Sequence, residues 1–550
     1  MAETETDGAR GATGEVATAP EGLVLGLDAS TTAVKALVFD ARGETVAEGR
    51  ARLELLPAGP GGYEQEADGW WAATCQAVGQ ALTGVDPRRL QGLAIAHQRE
   101  TFVVTDPAGR PLRRAIVWMD ERCRPQAARL RESPPGARVG RISGKPVCTT
   151  PSLAKLLWLA ESEPGLLSRP EARVLDVGAF LARHLTGRLA TATASADPLG
   201  LLALPEGTPA AELLALPGLR AEQLPALVPS GLRLGVVTAE AARETGLPTG
   251  LPLIAGGGDG QAAALGAGLD GPGQAYLNLG TAVVMGVVSR EPRTSQEFRT
   301  LIGVEPGTFL LESDLKSGTF CLDWLSARVL GADQATGPGR AALLGRLEAE
   351  AAGLAPGSGG VFLPYLAGVM NPYWDDDASG VLLGLRGHQG PAHLYRAILE
   401  GIAFEQRLAL DGIAAGNGAP VREVVVLGGG GESDLWCQML ADTLARPVVR
   451  AATREATALG AAILAAAATG LHPDLATAKA SMARGRRAGF TPGPQQALLQ
   501  RLLDEVYRPL YPTLAPLLRQ LRLADLPAGA ALAPGADASA SGGPDPEETP

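Results

Sequence analysis

An apolar run near the start of the chain ends at Asp28 and is followed by a small polar turn, residues 29–32, and then by Lys35. Ser and Thr at a tight turn present backbone amides and hydroxyls to an anion. An aspartate directly before such a turn suits Mg²⁺ bound through water. Thr31 and Thr32 are therefore candidate phosphate contacts, together with Lys35. Taken alone, the same residues also fit an ordinary Asx or Ser/Thr turn in a hairpin.

Two glycine-containing turns occur in the second half of the chain. Gly280 and Thr281 lie between two apolar stretches, and four glycines, residues 428–431, follow a third. Glycine lets a phosphate or a flat nucleoside approach the backbone closely. Neither turn matches GxGxxG in an opening βαβ unit or GxxxxGK[ST], so the sequence supports neither a Rossmann site nor a P-loop. Each turn alone is also compatible with a plain hairpin or loop.

Three further residues are suited to the acceptor side of a reaction. Asp259 follows three glycines at the end of an apolar stretch. A carboxylate held there suits a general base, and the alternative is an N-cap for a helix that starts near Gln261; one aspartate can serve both roles. Arg99 and Glu100 follow another apolar stretch and together donate and accept hydrogen bonds, which suits a polyhydroxylated ligand. The alternative for this pair is a surface ion pair.

Phosphoryl transfer requires groups that hold the phosphates, a Mg²⁺ site and a base that orients the acceptor hydroxyl. The chain has a candidate for each requirement. We therefore predict an enzyme that transfers a phosphoryl group from ATP, with Mg²⁺, to a small-molecule sugar or polyol.

The elements that position these residues alternate between strand and helix patterns, which indicates an α/β class. In both halves, strands end at Gly-rich or Thr-rich turns, which predicts two similar lobes separated by a cleft. The predicted organisation is a disordered tail over 1–20, a sugar-binding lobe over 21–262, a nucleotide-binding lobe over 263–525 and a disordered tail over 526–550. Strands are predicted at 23–28, 34–40, 90–95, 102–105, 253–255, 274–279, 282–288 and 423–427, and helices at 70–82, 394–410 and 457–468.

The composition restricts the possible partners. The 550 residues include 48 basic and 59 acidic ones, a formal charge of −11, which argues against nucleic acid. No apolar run is long enough to span a membrane, and the N-terminus has no secretory pattern. The five scattered cysteines fit reduced thiols. These features predict a cytoplasmic protein with no membrane or nucleic-acid partner.

The ordered set of motifs resembles the FGGY family of carbohydrate kinases over about residues 22–520. The segment 26–32 is similar to the family's phosphate hairpin, 151–158 and 380–401 to its two signatures, and 455–462 to its late helix. The resemblance implies two actin-like lobes of the ribonuclease H type, with ATP and sugar meeting in the cleft. A homodimer is also consistent with it.

The resemblance also implies a role for each site residue. Asp259 corresponds to the catalytic base and Asp28 to the Mg²⁺-side carboxylate, while Arg99 and Glu100 correspond to substrate contacts. The implied nucleotide contacts are Thr31, Thr32, Gly280 and Thr281 for the phosphates, Lys35 where some members have Arg, Gly318 nearby, and Gly429 and Ser433 for the nucleoside.

Substrate features are mixed. Segments 97–101, 116–120 and 371–375 resemble glycerol kinases, whereas 277–284 and 362–366 are more similar to xylulose kinases. Thr150 stands where glycerol kinases have a tyrosine, and Gly260 follows Asp259 where they have a larger residue. These two changes predict a roomier pocket and a ketose or longer polyol, with D-xylulose first and glycerol second. The alternative classes are an actin-like ATPase and a catalytically inactive sugar-binding regulator.

Overall fold

The structure is a computed structural model that describes residues 22–332 and 338–524. The two predicted tails, 1–20 and 526–550, lie outside these residues. The strands are Leu23–Ala29, Ala33–Phe39, Thr45–Arg52, Leu56–Pro57, Tyr63–Gln65, Leu90–His97, Phe102–Thr105, Ala115–Ile116, Arg173–Asp176, Ala190–Ala192, Leu202–Ala203, Thr208–Pro209, Ala226–Val228, Arg233–Val236, Pro252–Gly258, Gln274–Leu279, Val283–Ser289, Arg299–Ile302, Phe309–Leu315, Val361–Leu363, Val381–Leu383, Glu423–Leu427, Val448–Ala451 and Arg486–Phe490.

Helices connect and cover these strands. The α-helices are Ala67–Ala81, Arg124–Arg131, Gly136–Ser143, Ser152–Ser162, Val177–Thr186, Thr193–Ala196, Ala211–Ala215, Ala239–Thr245, Asp259–Gly266, Phe320–Trp324, Pro338–Ala352, Pro391–Asn417, Asp434–Leu444, Ala456–Ala468, Leu475–Met482, Gln496–Leu502 and Arg508–Ala524.

Two large sheets have the same plan. The first sheet has the spatial strand order Arg233–Val236, Pro252–Gly258, Leu90–His97, Leu23–Ala29, Ala33–Phe39, Thr45–Arg52. The second has the order Arg299–Ile302, Phe309–Leu315, Val283–Ser289, Gln274–Leu279, Glu423–Leu427, Val448–Ala451, Arg486–Phe490. In each, an antiparallel meander continues into parallel strands and ends in an antiparallel edge strand. The predicted α/β fold with two similar lobes is therefore confirmed.

The lobes meet through two helices. Helix Ala456–Ala468, although late in the chain, packs against the first sheet through a shared apolar core. It also crosses helix Asp259–Gly266, and the two backbones touch. A Cβ on Gly266 would lie 1.9 Å from the Ala456 carbonyl oxygen, and one on Gly460 would lie 1.9 Å from that of Ala262. Only glycine permits this approach on both sides.

Candidate active site

The carboxyl ends of three adjacent parallel strands bring the predicted acceptor-side residues together. Leu23–Ala29 pairs with Leu90–His97, which in turn pairs with Pro252–Gly258. Asp28 lies near the end of the first strand, Arg99 lies two residues after the second, and Asp259 follows the third. The strand register thus explains why residues far apart in sequence converge at one edge of the sheet.

A cleft of about 310 Å³ lies between this edge and the corresponding turn of the second lobe. This volume is at the small end of the range typical of ligand pockets. The predicted residues that line it are Thr31, Thr32, Arg99, Glu100, Asp259, Gly280 and Thr281. The structure thus assembles most of the predicted site from both lobes.

Asp259 is the first residue of helix Asp259–Gly266, and Gly258 precedes the helix. The N-cap explanation for this aspartate is therefore wrong. Its Oδ1 accepts from the Gly260 amide at 2.7 Å and lies 2.8 Å from Arg99 Nε. The side chain stays 40% exposed, so the carboxylate remains accessible from the cleft while Arg99 fixes its orientation.

Arg99 and Glu100 do not form a surface ion pair. Both are buried, and each pairs with a residue from the second lobe that the sequence analysis missed. Arg99 Nη1 donates to both carboxylate oxygens of Glu312 at 2.8 and 2.9 Å. Arg299 Nη1 donates to Glu100 Oε1 at 2.7 Å, and its Nη2 donates to Glu312 Oε1 at 2.6 Å. Two arginines and two glutamates thus link the lobes at the base of the cleft.

Glu312 is the centre of this network. It is completely buried and also accepts from the Tyr276 hydroxyl at 2.7 Å. Burial disfavours its charge, but Arg99 and Arg299 outweigh burial and hold the pKa of Glu312 below its usual value. Burial likewise opposes ionisation of Arg99, yet Glu312 and Asp259 keep the pKa of Arg99 well above its usual value. Arg99 and Glu312 are therefore ionised as well as buried.

In Glu100, which belongs to the network, and in Asp314, burial has the opposite outcome and the pKa is raised. Burial raises the pKa of Glu100, although Arg299 and Arg99 oppose the shift. Burial also raises the pKa of Asp314, which lines the cleft and whose Oδ1 has no hydrogen-bond partner within the described residues. Glu100 also has a φ of 56°, a backbone conformation that is strained for a non-glycine residue. Strain of this kind clusters at functional sites.

Gly260 does not enlarge the pocket. A Cβ at this position would lie 2.8 Å from both Glu312 Oε2 and the Tyr276 hydroxyl and 3.1 Å from Arg99 Nη1. The space that a larger residue would fill is occupied by the buried network. The expectation of a roomier pocket is therefore wrong at Gly260.

Comparisons with known proteins identify the family. The model of the N-terminal domain of the FGGY family of carbohydrate kinases matches residues 23–266, and that of the C-terminal domain matches residues 275–469. The chain belongs to the FGGY family of carbohydrate kinases. Kinases of this family are ATP-dependent phosphotransferases, and so is this chain. The predicted enzyme class is confirmed.

Several relatives have different substrate names. The chain is 30% identical over 499 residues to xylulose kinase from Escherichia coli (strain K12), covering 90% of this chain and 100% of that protein. It is 32% identical over 491 residues to glycerol kinase from Acidovorax sp. (strain JS42), covering 85% of this chain and 94% of that protein. The crystal structure of xylulose kinase from Rhodospirillum rubrum aligns with a TM-score of 0.80 and 29% identity, covering 90% of this chain and 100% of that one. These neighbours have the two-domain actin-like fold, which confirms that prediction.

In this kinase, two hairpin turns face each other across the cleft. Trp118 Nε1 donates to the Thr31 hydroxyl at 2.9 Å, and that hydroxyl donates to Gln98 at 3.1 Å. The Thr31 side chain is thus held in place, whereas Thr32 and Thr281 are exposed. Gly318 is buried beneath the second turn, and its amide donates to the Thr281 carbonyl at 2.8 Å. It supports the turn through its backbone.

Asp28 and Lys35 lie beside the first turn. Lys35 Nζ pairs with Glu455 Oε2 at 2.6 Å, at the start of the helix that joins the lobes. Asp28 is buried, and burial raises its pKa to about 7, opposed by Lys35. Its Oδ1 has no hydrogen-bond partner within the described part of the chain. A buried carboxylate oxygen without a partner fits a hydrated divalent cation, because Mg²⁺ keeps several waters and needs few protein ligands.

The predicted nucleoside contacts lie on the second lobe, outside the cleft-lining set. Gly429 is exposed, and a Cβ there would meet no atom within 4 Å, so a flat group has access to its backbone. Ser433 caps helix Asp434–Leu444 by accepting from the Trp436 amide, and its hydroxyl donates to Glu348 at 2.6 Å. Within residues 22–332 and 338–524, no helix is long and apolar enough to cross a membrane.

Proposed function

We propose that this kinase transfers the γ-phosphoryl group of ATP to a hydroxyl of a ketose or longer polyol, with D-xylulose as the first candidate. The observation that carries this proposal is the Arg99–Asp259 pair in a cleft lined by the phosphate turns of both lobes. An accessible carboxylate can take the proton of an acceptor hydroxyl, and two exposed threonines that line the same cleft can hold the phosphates.

The proposed chemistry assigns one role to each group. Asp259 accepts the proton of the acceptor hydroxyl while the acceptor oxygen bonds to the γ-phosphorus. The bond from the γ-phosphorus to the bridging oxygen breaks, and ADP leaves. Thr32, Gly280 and Thr281 bind the phosphates, and Gly429 and Ser433 lie beside the nucleoside. Arg99 and Glu100 position the acceptor.

Asp28 is the proposed ligand of Mg²⁺, through water. When bound, Mg²⁺ neutralises the charge that develops on the phosphates. Lys35 remains a candidate phosphate contact, and its pair with Glu455 places it at the junction of the lobes.

Glycerol is the second candidate acceptor. Residues 97–101 favour it, and a glycerol kinase is among the relatives. Against it, Thr150 lines the cleft where the resemblance to glycerol kinases implies a tyrosine. Sequence identity therefore does not decide between D-xylulose and glycerol, and an experiment must compare them.

The test is ADP release from Mg-ATP with D-xylulose, D-ribulose, L-ribulose, L-fuculose, glycerol, erythritol and D-gluconate as acceptors. We expect strong stimulation by D-xylulose and its loss in Asp259→Asn. The matched control is Asp270→Asn, because Asp270 is an exposed acid shortly after the same helix. Stimulation by glycerol alone would replace the first candidate with the second. ADP release that no acceptor stimulates would overturn the proposal.

A further inference from the structure

A buried glutamine holds the first phosphate turn, residues 30–32, from the side that faces away from the cleft. Gln65 ends the short strand Tyr63–Gln65, is 1% exposed and lies outside the cleft-lining set. Its Nε2 donates to the Thr31 carbonyl at 2.7 Å. The direction of that carbonyl is therefore set from the buried side of the turn.

The peptide unit between Thr31 and Thr32 is trans. In a planar trans peptide, the carbonyl oxygen and the amide hydrogen point in opposite directions. Because the Thr31 carbonyl points to the buried Gln65, the Thr32 amide points toward the cleft that Thr32 lines. Within residues 22–332 and 338–524, the amides of Thr31 and Thr32 donate to no acceptor, so both are available to an anion.

A tryptophan side chain fixes the direction of the hydrogen bonds around Gln65. The Trp70 indole donates to Gln65 Oε1 at 3.0 Å, and an indole N–H can only donate. Gln65 Oε1 therefore faces Trp70, which leaves Nε2 to face the Thr31 carbonyl. Gln98 Nε2 donates to the same Oε1 at 3.0 Å, so the side-chain oxygen of Gln98 faces the other way.

The Thr31 hydroxyl is the other end of this series of hydrogen bonds. It accepts from the Trp118 indole, so its single proton goes to Gln98 Oε1 at 3.1 Å. The Thr101 hydroxyl donates to the same oxygen at 3.0 Å. Because its hydroxyl proton is already used, Thr31 can donate to a phosphate only through its backbone amide.

We propose that Gln65 is a positioning residue for phosphoryl transfer, which keeps the Thr32 amide directed at the ATP phosphates. Reversal of the peptide between Thr31 and Thr32 would point a carbonyl oxygen at the phosphates, and the hydrogen bond from Gln65 opposes that reversal. This inference rests on the proposed function, in which the turn binds the phosphates. It assigns the effect of Gln65 to the phosphates of the nucleotide and not to its adenosine or to the acceptor.

Two probes separate this role from a general loss of structure. On the full chain, Kd is measured for the non-hydrolysable analogue AMP-PNP with Mg²⁺ by isothermal titration calorimetry, and for adenosine by ligand-observed NMR. Gln65→Met keeps the approximate size of the side chain but removes the donor. It should weaken AMP-PNP binding by about tenfold, because a hydrogen bond to a charged group is affected, and leave the adenosine Kd unchanged. KM for ATP should rise by a similar factor, while KM for the acceptor stays the same.

Gln223→Met is the matched control. Gln223 is also a fully buried glutamine of the first lobe, and its Nε2 donates to the Leu167 carbonyl at 2.8 Å. Its replacement should lower stability to urea without changing either Kd. Gln65→Asn, which shortens the side chain by one carbon, is a milder variant of the test position and should weaken AMP-PNP binding by at least about threefold.

Unchanged AMP-PNP binding in either Gln65 variant that folds would overturn the inference. Equal weakening of AMP-PNP and adenosine binding would also overturn it, as would the same loss of AMP-PNP affinity in Gln223→Met, since each would show a general effect on the fold. Both Kd values are measured without an acceptor and without turnover. These outcomes are therefore distinct from ADP release that no acceptor stimulates, which counts against the proposed function.

Discussion

Arg99 Nε lies 2.8 Å from Asp259 Oδ1, while the same guanidinium donates through Nη1 to the buried Glu312. One arginine therefore connects the proposed catalytic carboxylate of the first lobe to a strand of the second. A change in the relative position of the lobes would be transmitted through this side chain to Asp259.

Replacement of Asp259 by asparagine should lower kcat by roughly 10²–10⁴-fold, the range for loss of a general base. The amide keeps the size of the side chain but accepts no proton. Steady-state ADP release with the best acceptor measures the effect, and Asp270→Asn should retain wild-type kcat. A near-normal kcat in Asp259→Asn would rule out the proposed role.

Replacement of Glu312 by alanine should lower the free energy of unfolding by about 3–5 kcal/mol, because Arg99 and Arg299 would be left buried without this partner. The shift of the urea unfolding transition measures the loss. Glu505→Ala is the matched control, since Glu505 forms an exposed pair with Arg501 and should contribute less than about 1 kcal/mol. Equal effects of the two variants would contradict the importance of the buried network.

Replacement of Gly260 by alanine should destabilise the protein by about 1–3 kcal/mol, the usual range for overpacking. The new methyl group would displace Glu312 or Tyr276 and, with them, Arg99, so KM for the acceptor should rise. Gly345→Ala is the control, because a Cβ on Gly345 in helix Pro338–Ala352 would meet no atom within 4 Å. Unchanged stability and KM in Gly260→Ala would show that the network tolerates the added carbon.

Glu405 should make stability depend on pH. This buried carboxyl accepts from Tyr365 and Tyr507 at 2.6 and 2.7 Å, and burial raises its pKa from 4.5 to about 7 despite these bonds. Folding favours the protonated form of Glu405. The contribution of this group to the free energy of unfolding is therefore complete below about pH 4.5 and is lost as the pH rises to about 7. The loss is about 3 kcal/mol.

Glu405→Gln removes this titration. The wild type loses stability over this range and the variant does not. The free energy of unfolding of Glu405→Gln minus that of the wild type should therefore increase between pH 5 and pH 8, and then remain constant. Urea unfolding of both proteins at each pH measures the difference, with Glu505→Gln as an exposed control. The same difference at pH 5 and pH 8 would exclude a raised pKa at Glu405.

Much of the fold could be predicted from the sequence because the elements carry strong local patterns. The predicted strands 102–105, 274–279 and 423–427 match Phe102–Thr105, Gln274–Leu279 and Glu423–Leu427. Helix ends were less accurate. The predicted helix 394–410 spans Pro391–Asn417 in the structure. It begins at a proline and ends just before Gly418, and neither residue is part of the apolar pattern from which the helix was predicted.

Two second-lobe residues of the site, Glu312 and Arg299, were missed for a physical reason. Glu312 and Arg299 become functional only when two antiparallel strands place them opposite each other and against Arg99. The strand Phe309–Leu315 nevertheless carried a usable signal, since Glu312 and Asp314 are acids at alternate positions in an otherwise mainly apolar run. Charged residues inside a buried strand require partners, which points toward a polar site.

The glycine crossing between helices Asp259–Gly266 and Ala456–Ala468 has a mechanical consequence. Where Gly266 and Gly460 meet, the two backbones are in direct contact, so the backbones themselves set the distance between the helices. Asp259 begins one of these helices, and Glu455, the partner of Lys35, precedes the other. Any residue larger than glycine at this contact would force the helices apart and would therefore change the spacing between Asp259 and the Lys35–Glu455 pair.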